Sequence, residues 1–278
     1  YLMNLIIQGI EIETSDLREL AKLSGASQIE RITGQAFRLK DASRRENVAE
    51  YCAAVGLDFA FVAQTTRLAD FGLVAMDMDS TLVAIESIDE IADLQGVKPQ
   101  VAEITASTMR GEIDFAESLT RRTALLRGLD QDALHRVYAE RLQFNPGAEK
   151  MLQRLRAAGI RTLLVSGGFT FFTDRLKERL RLDYAAANTL EIVDGKLTGK
   201  VLGEIIGAQG KADVLKRVRD ELGLKHGQVI AIGDGANDLQ MLVEAGVSIA
   251  YHAKPIVQQK ATYALNHVGL DGVLNLFG

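Results

Sequence analysis

Two aspartates one residue apart, Asp77 and Asp79, follow directly on the apolar run Leu73-Val74-Ala75-Met76. Alone, an Asp-x-Asp pair is more often a turn or a helix cap than a reactive pair. Three further polar clusters downstream change its meaning. Ser166-Gly167-Gly168 closes the apolar run 160–165, Lys211 opens a helical pattern, and Gly233-Asp234-Gly235-Ala236-Asn237-Asp238 closes the run 229–232. Strand ends in an open α/β sheet share one crevice, so these clusters are expected to converge there. Two or three carboxylates held together repel one another unless a cation stands among them. With oxygen ligands only, and no His or Cys nearby, the expected ion is hard, Mg²⁺ above all. Ser166 and Gly167 offer a hydroxyl and a backbone N–H at an expected helix start, a common anion cradle. Lys211 adds one positive charge. Carboxylates, a hard cation, an anion cradle and a lysine together describe phosphoryl-group handling.

The elements that must position these residues read as alternating strands and helices from residue 71 onward. The runs 73–76, 160–165, 229–232 and 247–250 are continuously apolar, as suits strands covered on both faces. Helical patterns at 149–158, 171–182, 211–222 and 238–245 lie between or after them. Together they predict an α/β class with a doubly wound, Rossmann-like parallel sheet. Residues 86–143 are too long for a simple crossover and read as an inserted helical cap above the crevice. Ser87-Ile88-Asp89-Glu90 has the form of a capping box opening a helix that Gly96 ends. Further helices are expected at 101–109, 115–126 and 131–142. A hairpin over 190–201, turning at Asp194-Gly195, extends or shields the sheet.

Residues 1–66 form a different pattern. A strand at 2–10, a helix at 16–23, and strands at 28–32 and 35–39 joined across Thr33-Gly34 come first. A helix at 42–55, stopped by Gly56, and a strand at 58–63 complete a β-α-β-β-α-β order, that of an α+β ferredoxin-like unit. Polar residues 64–70 are the expected linker, which leaves 71–278 as the second domain.

Composition narrows the function classes. The 278 residues are 47% hydrophobic and 25% charged, an ordinary globular mix. Lys and Arg total 32 against 37 Asp and Glu, so a net charge of −5 gives no footprint for nucleic acid or an anionic membrane. The single cysteine, Cys52, cannot form an internal disulfide and sits in an apolar helical pattern as a buried structural residue. No run approaches the length of a membrane span, and no basic residue precedes Arg18, so a reduced, cytoplasmic protein is expected. His135, His226, His252 and His267 lack ligand spacing and receive no chemistry.

Asp77-Met78-Asp79-Ser80-Thr81, Ser166-Gly167-Gly168, Lys211 and Gly233 through Asp238 resemble the four motifs of the haloacid dehalogenase-like superfamily. The likeness is closest to its phosphoserine phosphatases and runs over about residues 72–277. The N-terminal unit is similar in kind to the ACT-like domains found ahead of some bacterial members. The resemblance implies a nucleophilic Asp77 that becomes an aspartyl-phosphate, and an Asp79 that protonates the leaving group and later activates water. It implies Mg²⁺ on Asp77, the Asp79 carbonyl and Asp234, with Asp238 in the outer shell. Lys211, Ser166, Gly167, Gly168 and Asn237 would hold the phosphoryl group. Glu86 would take the ammonium of O-phospho-L-serine and Arg122, rather than its neighbour Arg121, the carboxylate; Met109 and Phe115 would line the pocket. The implied reaction is the last step of serine synthesis. A phosphotransferase passing the group to another hydroxyl, such as homoserine, and a serine-sensing regulatory protein stay open as alternatives. So does a homodimer.

Overall fold

The computed structural model describes residues 2–278. Its first sheet contains β1 (Met3–Gln8), β2 (Gln28–Thr33), β3 (Ala36–Ala42) and β4 (Asp58–Ala63). Two helices, α1 (Thr14–Ser24) and α2 (Val48–Val55), interleave with these strands. The sheet order is β2-β3-β1-β4 with every pairing antiparallel. Leu5 and Ile7 of β1 pack with Leu17, Leu20, Val48 and Cys52 of the two helices. Alternation puts Ile6, Ala60 and Val62 on the other face, where they pack with Phe71, Leu276 and Phe277. Both faces of this small sheet are therefore covered. The helix expected from residue 42 starts at Val48, because Ala42 is still in β3 and the N–H groups of Ser43 and Arg44 both donate to the Ser24 carbonyl. Cys52 is fully buried, and burial pushes its thiol up to about 12, as befits a packing residue.

After a 3₁₀ turn at Leu68–Asp70 the chain enters the central strand of the second sheet, β5 (Leu73–Met76). An α-helical insertion follows: α3 (Ser87–Gln95), α4 (Lys98–Met109), α5 (Phe115–Ala124) and α6 (Asp132–Arg136), then a π-helical turn at Val137–Arg141. The remaining elements are α7 (Ala148–Ala157), β6 (Arg161–Phe169), α8 (Thr170–Leu180), β7 (Tyr184–Val193), β8 (Lys196–Leu202), α9 (Ala208–Glu221), β9 (Val229–Gly233), α10 (Leu239–Val243), β10 (Val247–Tyr251), α11 (Pro255–Lys260) and β11 (Tyr263–Leu265). The sheet order is β11-β10-β9-β5-β6-β7-β8, parallel except for the edge hairpin β7–β8. Asp194 and Gly195 both take positive φ at its turn, as the sequence predicts.

Successive residues of β5 serve opposite cores. Val74 and Met76 join one cluster with α7 residues Met151 and Leu155, whereas Leu73 and Ala75 join another with Leu215, Val218 and Met241 from α9 and α10. From β5 the chain passes to β6 on one side, continues outward to β8, and then crosses back to β9 on the other side of β5. That is the switch point where α/β sheets open a crevice at their carboxyl ends. Among the described residues, no helix is long and apolar enough to cross a membrane.

Candidate active site

Asp77 sits immediately beyond β5, its N–H bonded to the Ile232 carbonyl of β9 at 3.1 Å. Behind it lies Lys211, 1% exposed, in the first turn of α9, which begins three residues earlier than the sequence pattern suggested. The Lys211 ammonium donates to Asp77 Oδ1 and to Asp238 Oδ1, both at 2.8 Å. Asp238 is wholly buried, and its second oxygen accepts the backbone N–H groups of Asp234 and Gly235 at 3.0 and 3.1 Å. Three of its roughly four acceptor directions are thus engaged, so it is held rigidly and orients the others. Asp234 receives the Thr81 hydroxyl at 2.8 Å on Oδ1.

Beyond Asp79 the chain reverses at Ser80, which takes φ 59°, and returns to begin α3. The outgoing and returning residues are laced together. Ser80 Oγ donates to Glu86 Oε1 at 2.6 Å, and Ser87 donates through its N–H and its hydroxyl to the two oxygens of Asp79, at 3.2 and 3.0 Å. The capping box expected at Ser87 does not form. Glu86 holds the N-cap position without a side-chain cap, and the serine hydroxyl is taken by Asp79 instead.

Ser166, Gly167 and Gly168 lie at the end of β6 rather than at the start of α8, because the strand runs on to Phe169. Their cradle is fixed by two internal contacts: Ser166 Oγ accepts the Gly168 N–H at 2.9 Å, and buried Asn188 donates to the Gly167 carbonyl at 3.0 Å. Phe115 of the cap closes directly over this loop. A Cβ on Gly167 would fall 2.8 Å from its Cζ, and one on Gly207 would fall 3.1 Å from its Cδ1.

One cavity is lined by Asp77, Asp79, Glu86, Phe115, Arg122, Ser166, Gly167, Gly168, Asp234 and Asn237. Lys211 and Asp238, both buried, bond to its lining residues Asp77 and Asp234. Arg122 stacks over the Phe115 ring at 5.9 Å, while Arg121 turns outward to Glu117 and is 55% exposed. Met109 departs from expectation. It ends α4 with 74% exposure and lines none of this cavity. Ser87, expected only as a helix cap, and Asn188 and Asn145, which no motif singles out, also build the site; the Asn145 amide bonds the Thr81 and Val83 carbonyls at 2.7 and 3.3 Å. Their signal lies in tertiary contact and not in local spacing.

The electrostatics favour a further positive charge among these carboxyls. Burial raises Asp77 well above the carboxylate range, and Asp238 adds to the effect while Lys211 opposes it. Burial, with Glu86 close by, lifts Asp79 to about 8; burial and Asp238 lift Asp234 to about 6. Glu86 stands at the rim with part of its surface in solvent, yet the protein around it still raises it, against the Ser80 hydrogen bond. Burial disfavours the Lys211 cation, but the charges of Asp238 and Asp77 hold it protonated. One ammonium cannot keep this many carboxyls ionised. Oxygens of Asp77, Asp234 and Asp238 come within 4.8 Å of one another with no softer donor among them. Such a donor set suits a hard divalent cation.

Residues 74–243 match the model of the haloacid dehalogenase-like hydrolases. The chain belongs to this family. A hydrolase of this family is therefore built on β5, with Asp77 and Asp79 at its end. Residues 5–48 match a separate model, a domain of unknown function termed DUF4072. Over 215 residues the hydrolase is 51% identical to a phosphoserine phosphatase of Polaromonas sp., covering 76% of this chain and 91% of that one. Its fold is similar to the crystal structure of a probable phosphoserine phosphatase from Vibrio cholerae, with TM-score 0.87 and 38% identity over 99% of this chain and 86% of that one. A HAD family hydrolase from Salmonella enterica serovar Typhi is similar over 99% of this chain and 98% of the other, with TM-score 0.90 and 32% identity.

Proposed function

We propose that this hydrolase is a Mg²⁺-dependent phosphoserine phosphatase that converts O-phospho-L-serine to L-serine and phosphate. The observation that carries the reading is one cavity in which the Asp77–Asp79 pair and the Ser166–Gly168 cradle face Glu86 and Arg122 of the cap. Relatives named as phosphoserine phosphatases support the same substrate. Glu86 matches an ammonium and Arg122 a carboxylate, the two charged groups of a phosphorylated amino acid.

In this reading Asp77 attacks phosphorus through a carboxylate oxygen, forming an aspartyl-phosphate as the bond to the seryl oxygen breaks. Asp79, raised to about 8 and hence protonated near neutrality, gives its proton to that oxygen. The resulting carboxylate then takes a proton from the water that hydrolyses the intermediate. Lys211 offsets charge on the phosphoryl group, Ser166, Gly167 and Asn237 donate to its oxygens, and the Gly168 N–H holds the Ser166 hydroxyl in place beside them. Asp77, Asp234 and the Asp79 carbonyl would hold Mg²⁺, which supplies further charge neutralisation at the transferring group. Phe115 over Gly167 excludes water that would otherwise compete.

We assign residues 71–278, with the cap 86–143 inserted, to catalysis, and residues 1–66 to a separate ACT-like domain. The βαββαβ order and antiparallel sheet support that second assignment. Phosphate release from a panel of phosphomonoesters, with and without Mg²⁺ and beside an Asp77→Asn control, tests the proposal. Mg²⁺-dependent preference for O-phospho-L-serine, lost in the control, is expected. Turnover of other esters but not phosphoserine would discard the substrate and keep the mechanism.

A further inference from the structure

The first residue of the cap's first helix holds both oxygens of Asp79. Ser87 is 1% exposed, and its N–H and Oγ reach Asp79 Oδ1 and Oδ2 at 3.2 and 3.0 Å. We infer that Ser87 is a positioning residue for leaving-group protonation, fixing the plane and rotation of the Asp79 carboxyl against the reacting centre; the inference rests on the phosphatase reading above.

A carboxyl group has about four lone-pair directions, two on each oxygen. Ser87 occupies one on each, which leaves the other direction of each oxygen for the cavity that Asp79 lines. A two-point clamp removes rotation about the bond to the carboxyl carbon, which a single hydrogen bond would permit. The clamp is itself closely surrounded. A Cβ on Gly168 would lie 3.3 Å from Ser87 Oγ, 3.0 Å from Ser166 Oγ and 3.3 Å from Met78 Cε, so the hydroxyl borders the phosphate cradle and any side chain at Gly168 would crowd it. Among the described residues, the Ser87 hydroxyl bonds no polar partner other than Asp79. A hydroxyl that is buried, tied to a single carboxylate and absent from its helix's own capping is placed for that carboxylate.

The chemical consequence falls on one step. As the bond between phosphorus and the seryl oxygen breaks, its electron pair goes to that oxygen and the Asp79 proton follows. An alkoxide cannot leave well without that proton, whereas p-nitrophenolate and acetate can. Loss of the clamp should therefore be felt with an alkyl ester and spared with an activated one. A residue that merely supported the fold would affect all esters together.

The test compares wild type, Ser87→Ala and Ser87→Thr on O-phospho-L-serine, p-nitrophenyl phosphate and acetyl phosphate. The quantity read is kcat/KM, which stops at leaving-group departure, with circular dichroism to confirm folding. Ser87→Ala should lose more than about tenfold on phosphoserine and less than about twofold on the activated esters. Ser87→Thr, which keeps the hydroxyl and the N–H, should recover most of the phosphoserine loss. Equal losses on all esters in folded Ser87→Ala, or no loss on phosphoserine, would overturn the inference. Should neither activated ester be turned over by wild type, the Ala loss and the Thr recovery on phosphoserine decide alone. A wild type inactive on phosphoserine would mark failure of the substrate assignment; the same comparison then runs on whichever alkyl phosphate it hydrolyses. Inactivity on every ester would overturn both readings.

Discussion

The Lys211 ammonium lies 2.8 Å from Asp77 Oδ1, with both side chains almost completely removed from solvent. The same nitrogen holds Asp238 at 2.8 Å, so one cation anchors two buried carboxylates from different strand ends. Replacing Lys211 by Met leaves that pair without a counter-charge. Breaking a buried ion pair by removing one partner costs about 3–5 kcal/mol, and losing a charge aimed at the reacting group costs about 10²–10³ in kcat. Urea denaturation and phosphate release on Lys211→Met should show both losses. A stable variant retaining more than half the wild-type rate would contradict the arrangement.

Stability should depend on pH and magnesium together. Burial is the main cause that raises Asp79 to about 8 and Asp234 to about 6 from the ordinary 3.8. Above pH 4 the unfolded chain has lost these protons while the folded protein keeps them. Stability therefore falls as pH rises through this window. A divalent cation held by ionised Asp77 and Asp234 offsets part of that loss. Thermal denaturation should show a Mg²⁺-induced rise in Tm that is large at pH 8 and small at pH 5. An equal rise at both would argue against cation binding by these carboxylates.

The position of this chemistry was readable because it sits at strand ends, where short apolar runs stop at Asp77, Ser166 and Asp234. Both sheets and the helical insertion were legible for a similar reason, since hydrophobic period changes with element type. Helix starts were less so. The starts at Val48 and Ala208, and the extension of β6 through Ser166 to Phe169, depend on which distant carbonyl or loop takes each backbone group. Ser87 had the right spacing for a cap, yet Asp79 competes for its hydroxyl from across the crevice. The outward position of Met109 likewise follows from how α4 packs, which a pocket match along one dimension does not encode.

Gly167 tests the closure of the cap. An added methyl would meet Phe115 Cζ at 2.8 Å, and the loop beneath is held by Asn188. The Phe115 ring must therefore move outward in Gly167→Ala. A displacement of about 1 Å at a reacting centre costs about 10² in rate. Adding Phe115→Leu to Gly167→Ala should return part of the loss in kcat/KM, because the shorter side chain relieves the contact. Additive losses in the double variant would rule out this contact as the cause.

The two sheets are joined by Asp58, 4% exposed at the start of β4. Its oxygens accept the backbone N–H groups of Asn266, His267 and Val268 at 2.7, 2.9 and 3.3 Å. Asp58→Ala leaves three donors at the junction without an acceptor. Each fully unsatisfied buried donor costs about 1–3 kcal/mol, and partial hydration from the surface groove that Asp58, Asn266 and His267 line brings the expected total to about 3 kcal/mol. Chemical denaturation measures it directly. No change in midpoint would mean that the other contacts, apolar packing through Ile6, Val62 and Phe277 and the Gln8 bonds to Gly272 and Asn275, suffice to join the sheets.

Glu86 and Arg122 give the sharpest test of substrate identity, because each is assigned to one charged group. Arg122→Ala should lower kcat/KM for O-phospho-L-serine by about 10², the usual order for removing one partner of a desolvated charge pair. O-phosphoethanolamine lacks the carboxylate and should lose little, so the preference between the two esters collapses. Glu86→Gln should do the converse with 3-phosphonooxypropanoate, which keeps the carboxylate and lacks the ammonium. Arg121→Ala serves as the control, since that side chain pairs with Glu117 outside the cavity. If Arg121→Ala erased the preference and Arg122→Ala did not, the carboxylate would have to bind outside the cavity that Arg122 lines. The assignment of α5 to substrate selection would then rest on the wrong arginine, and the stacking of Arg122 over Phe115 would be packing alone.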